Sequence, residues 1–87
     1  MVKIWAKVMK GGKIDGQTVF ELDGKIVWSR MHAYLTEICY ALDIPTPLVL
    51  KTHILNFAKF NHVKFIKSDF VEKVNFDYLF LENISDS

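Results

Sequence analysis

Cysteine is almost missing from this chain: Cys39 stands alone among 87 residues. One thiol closes no intramolecular disulfide and supplies no cysteine-based metal cluster. Cys39 falls inside an apolar helical pattern, where a thiol behaves as a small hydrophobe, and nothing nearby in sequence lowers its pKa toward that of a nucleophile. Long apolar runs are lacking too. No stretch approaches the ~18 consecutive apolar residues of a membrane span. The opening residues, Met1-Val2-Lys3-Ile4-Trp5, alternate instead of forming the apolar core of a signal peptide. These absences point to a reducing cytoplasm.

Motifs of catalysis are equally scarce. Gly11-Gly12 is followed by Lys13 but has neither the spacing nor the downstream helix of a phosphate-binding loop. There is no Gly-x-Ser-x-Gly elbow, and Ser29, Ser68, Ser85 and Ser87 read more simply as caps or tail. His32, His53 and His62 form no i, i+4 pair with a carboxylate of the kind a zinc helix uses. No catalytic residue, metal or cofactor is therefore expected. His53, close in sequence to Lys51, Asn56 and Asn61, could centre a polar cluster on the second helix; a histidine bonded to a backbone carbonyl is the simpler reading. Asp69, Glu72 and Asp77 could form an acid pair in a cleft, but Asp69 suits a cap on the turn that follows it. Asp77 suits a solvated position or a pair with Lys73.

What the chain does have is bulk. Hydrophobic residues make up 51% of it, with seven Phe, three Tyr and two Trp. Each buried aromatic removes ~150 to 250 Å² from water, which is how so short a chain builds a core at all. One domain, residues 1–87, is expected, with 85–87 as a frayed tail.

Val2, Ile4, Ala6 and Val8 alternate with Lys3, Trp5, Lys7 and Met9, the period of a strand with one buried face. Gly11-Gly12 marks a tight turn. A second strand is expected from Lys13 to Leu22, with a bulge or bend at Asp15-Gly16 and a turn at Asp23-Gly24. Lys25 to Trp28 reads as a short third segment of this meander or as a lead-in to the helix. Ser29 then suits an N-cap, and Met31, Tyr34, Leu35, Ile38, Cys39 and Leu42 make one apolar stripe. Pro45 closes that helix. Thr46 and Pro47 suit the cap and first residue of a second helix running to Phe60, with Leu50, Ile54, Phe57, Ala58 and Asn61 on one side. Strands from His62 to Lys67 and from Phe76 to Ile84 follow, with Ser68 to Val71 as a capped turn. The order is β-β-α-α-β-β, an α+β domain with an antiparallel sheet of about four strands and two helices packed on one face. Tyr78, Phe80, Leu79 and Leu81 make the last strand apolar on both faces, so the first and last strands are expected in the middle.

Charge is uneven although the net is only +1. Between Ile44 and Ser68 there are four lysines (Lys51, Lys59, Lys64, Lys67), two histidines and no acid, while Asp69 to Ser87 holds five acids and one lysine. Lysines among Phe57, Phe60 and Phe65 are one pattern of a nucleic-acid surface, although these phenylalanines fall on core faces. Leu35 to Lys51 loosely follows helix-turn-helix spacing. Its second helix would open with Leu48-Val49-Leu50, however, where base-reading residues should stand.

Asp43-Ile44-Pro45-Thr46-Pro47, Asn56-Phe57-Ala58-Lys59-Phe60-Asn61 and Asp69-Phe70-Val71-Glu72 together resemble a group of short bacterial proteins with no assigned activity. That resemblance implies no catalytic residue. The leading expectation is a small interaction or adaptor domain, with self-association through the sheet face opposite the helices. Its contact residues would be Lys3, Trp5, Lys7 and Met9. The alternative is nucleic-acid binding through Lys51, Lys59, Lys64 and Lys67.

Overall fold

Alternation in the first strand sets the layering. In the computed structural model, which describes residues 1–85, β1 (Val2–Lys10) buries Ile4, Ala6 and Val8 and turns Lys3, Trp5, Lys7 and Met9 the other way. Gly11 and Gly12, both at positive φ, turn the chain into β2 (Lys13–Leu22), as two-residue hairpins require. Val8 pairs with Gly16 and Met9 with Ile14, so Asp15 is left as the extra residue of a β-bulge. It switches the outward set of β2 from the odd-numbered Gln17 and Val19 to Ile14, so that Ile14 and not Asp15 stands across from Met9.

The chain leaves the sheet at Asp23. The segment Lys25–Trp28 adds no strand; it leads into one 3₁₀ turn at Trp28–Arg30. Ser29 lies inside that turn and does not cap the helix. Trp28 packs edge-on against Phe57 at 6.0 Å, and the Val27 N–H donates to the Tyr34 hydroxyl at 3.1 Å. These tertiary anchors, not a capping hydroxyl, set where the helix begins. α1 (Met31–Leu42) buries Met31, Leu35, Ile38 and Cys39. It ends at Asp43, which takes the left-handed conformation at φ 56°, the position usually left to glycine.

α2 (Lys51–Phe60) starts later than Thr46-Pro47 implies. Pro47 is fully buried, and the Leu48 N–H donates to the Asp69 carbonyl at 2.8 Å. The chain is thus held out of helix until Leu50. Eight residues separate the two helices, too many for the short turn of a helix-turn-helix. Leu50 is 51% exposed, not buried; Phe57 is buried, Ile54 partly so, and Ala58 is exposed. Asn61, at φ 62°, caps α2 and turns the chain into β3 (His62–Ile66).

A long connection then crosses to β4 (Tyr78–Asn83). Its middle is pinned by Phe70 and Phe76, both buried and edge-on at 5.3 Å. Asp77 is bonded at both its backbone and its side chain. Its N–H donates to the Met9 carbonyl, and its carboxylate accepts from Gly11 N–H, each at 2.8 Å. Asp77 is exposed, as one of its two expected settings has it, and its bonds go to the first hairpin, which it clamps, not to Lys73. Ser85 is also tied in, its hydroxyl accepting from Lys3 N–H at 2.8 Å; residues 86 and 87 lie outside the described residues.

The four strands form one antiparallel sheet in the order β2-β1-β4-β3. α1 lies against β2 and α2 against β3, and the core of Ile4, Ala6, Val8, Phe65, Leu79 and Leu81 lies between sheet and helices. The first and last strands occupy the centre. No helix among the described residues is long and apolar enough to cross a membrane.

Candidate interaction face

The side of the sheet turned away from the helices is built by strand parity alone. Register places its side chains in three rows of four. One row is Ile14, Met9, Tyr78 and Ile66, apolar from edge to edge. The middle row is Gln17, Lys7, Phe80 and Lys64. The third is Val19, Trp5, Glu82 and His62. Lys3 lies beyond this last row, across from Glu21. Trp28 packs toward α2, so the segment before α1 does not fold over this face.

Aromatic rings and lysines are interleaved on it. Lys7 Nζ sits 3.9 Å from the Trp5 ring centroid and 4.9 Å from that of Phe80. It also pairs with Glu82 Oε1 at 3.7 Å, and its side chain is only 16% exposed. Lys64 Nζ lies 4.2 Å over Tyr78. Trp5 Nε1–H donates to Gln17 Oε1 at 2.9 Å. Each cation–π contact of this kind contributes about 0.5 to 1 kcal/mol. At the β3 edge Phe60, His62 and Phe80 stack in series, at 6.2 and 5.5 Å between centroids. They border a hollow of about 340 Å³ with Asn56 and Lys64.

The basic segment does not make one surface. Lys64 is on the open sheet face, Lys51 and Lys59 are on α2 in the opposite layer, and Lys67 belongs to the 3₁₀ turn after β3. Glu82 answers Lys7 and Glu21 stands across from Lys3, so the face carries cations and anions together.

His53 is buried, and neither the expected polar cluster with Asn56 and Asn61 nor the bond to a backbone carbonyl forms. Its ring stacks on Phe65 with centroids 4.4 Å apart. Nδ1 accepts the Leu50 N–H at 2.9 Å, so the ring proton sits on Nε2, which donates to Asp69 Oδ2 at 3.2 Å. The same carboxylate oxygen accepts Ile66 N–H at 2.9 Å. Asp69 thus reaches backward to the end of β3 instead of capping the residues after it. Both ring nitrogens are engaged, which leaves neither for general-base work or metal ligation. The arrangement does structural work: it joins the first turn of α2 to the turn after β3.

Burial pushes the Cys39 thiol up to about 12, with a hydrogen bond from Thr46 opposing the shift. Among the described residues no group of three or more His, Cys, Asp or Glu side chains is placed to hold a metal ion.

Sequence parity alone puts His62, Lys64 and Ile66 on the side opposite Val63 and Phe65. What parity does not reveal is that this side continues the outward side of β1. Fold and face together define a class, a two-layer α+β domain whose sheet is covered by helices on one side and open on the other. Comparison with family models, with curated proteins and with solved structures finds no match.

Proposed function

We propose that this chain is a non-catalytic protein-interaction domain whose binding surface is the helix-free face of the sheet. The observation that carries this reading is the apolar row Ile14-Met9-Tyr78-Ile66, extended along β4 by Phe80, with a second apolar pair, Val19 and Trp5, two rows away. Ile14, Ile66 and Val19 are 45%, 48% and 49% exposed. An exposed apolar strip rimmed by polar residues is the usual form of a contact site. The mixed charge around it suits a protein partner better than a polyanion, because phosphate binding draws on unpaired cations and Lys7 is already enclosed by two rings and a carboxylate.

The test is site-specific photo-crosslinking in cells, with a photoreactive amino acid in place of Val19 or Ile66. Tyr40, which is 89% exposed on α1, serves as the control position. Discrete protein adducts from positions 19 and 66, and none from 40, are expected. Nucleic-acid adducts, or no difference among the three positions, would reject the reading.

A further inference from the structure

Resting on that reading, we infer that the face is covered by a second copy of the chain, docked about a twofold axis that runs along the strands above the seam between β1 and β4.

A face-to-face pair of identical subunits is related by a twofold axis lying in the plane of contact. An axis along the strands lays β1 on the partner's β4 and β2 on the partner's β3, row upon row. The apolar row then meets itself, with Ile14 opposite the partner's Ile66 and Met9 opposite the partner's Tyr78. In the middle row Lys7 meets the partner's Phe80, and Gln17 meets the partner's Lys64. In the third, Trp5 meets the partner's Glu82 and Val19 the partner's His62. No two like charges face each other across the three rows, and Lys7 and Lys64 keep their ring contacts within their own chain. The other twofold that covers the whole face runs across the strands along the middle row. It sets Lys7 on the partner's Lys7 and Lys64 on the partner's Lys64, a repulsive arrangement.

Size sets the strength. Four strands ~4.8 Å apart and three rows ~6.8 Å apart make a footprint of roughly 19 by 20 Å. Even with side-chain relief this lies at or below the ~800 Å² per partner that standard interfaces bury. The dimer is therefore weak and reversible. Sheets packed this way sit ~10 Å apart with strands inclined by ~30°, so edge residues face each other with some offset along the strand.

Two variants, Ile14→Cys and Ile66→Cys, read out this geometry. Cys39 is buried and does not compete for a short bismaleimide. The strand-parallel axis predicts cross-linked dimer when the two variants are mixed and little or none when either is alone. Abundant dimer from Ile14→Cys by itself would overturn the axis. Sedimentation should show a monomer–dimer equilibrium for the wild type, with the dissociation constant raised at least tenfold by Ile66→Lys, a change at a half-exposed edge position. Should that variant misfold, Val19→Lys supplies the same readout from β2. A wild type that stays monomeric to millimolar concentration overturns the inference. The broader reading then stands if positions 19 and 66 still photo-crosslink to a different protein, and falls if they do not.

Discussion

Asp69 Oδ2 receives two hydrogen bonds, one from the end of β3 and one from an imidazole sixteen residues earlier. Removing the carboxylate leaves a backbone N–H and a buried ring N–H short of an acceptor. Asp69→Ala is therefore expected to cost about 1 to 3 kcal/mol, measured as a lower urea midpoint with an unchanged slope. An unaltered midpoint would show that water replaces the carboxylate at no cost. Cys39 makes the opposite kind of prediction. Its neutral form is favoured in the fold, so stability carries no thiol dependence below the ordinary value near 8.5. Above that pH the unfolded chain ionises while the folded one holds its proton up to about 12, and stability falls. A thiol reagent at pH 8 should label Cys39 only at the rate of unfolding; prompt labelling of native protein would contradict its burial. The inertness of Cys39 was legible from its place in an apolar stripe. The His53–Asp69 pair was not, because sequence spacing gives no sign that two polar residues on different elements converge.

At the scale of elements, strands were read more faithfully than helix starts. Period-two alternation and the Gly11-Gly12 turn are local signals, and β1 follows the alternation while β2 spans the expected Lys13–Leu22. Helix starts depend here on distant partners: Trp28 on Phe57 for α1, and the Leu48 bond to Asp69 together with the His53 ring for α2. Ser29 and Thr46-Pro47 offered good local caps that these contacts override. Leu50 shows the consequence. Counted as helical, it shares a face with Ile54 and Phe57; in extended backbone at φ −93°, ψ 162° it points elsewhere. Truncation separates the two cases. Phe57→Ala should cost about 3 to 5 kcal/mol, whereas Leu50→Ala should stay within about 0.5 kcal/mol of wild type. Thermal or urea unfolding of the two variants checks the contrast, and equal losses would place Leu50 back in the core.

For the whole molecule, the double-faced apolar character of the last strand was enough to place it centrally, beside the first. That arrangement has a consequence in time. β1 pairs with β2 through a two-residue turn, but its other edge waits for residues 78–83. During synthesis the growing chain therefore carries an early hairpin with one bare strand edge, apolar on its inner side, until residues 78–83 have emerged. Contacts this far apart in sequence also raise the loop-closure cost and slow the final step of folding. An unpaired edge of that kind is a template for pairing with other chains. The interval between completing β2 and delivering β4 is thus when this small domain is most exposed to misassembly, and slower elongation over its second half lengthens that interval.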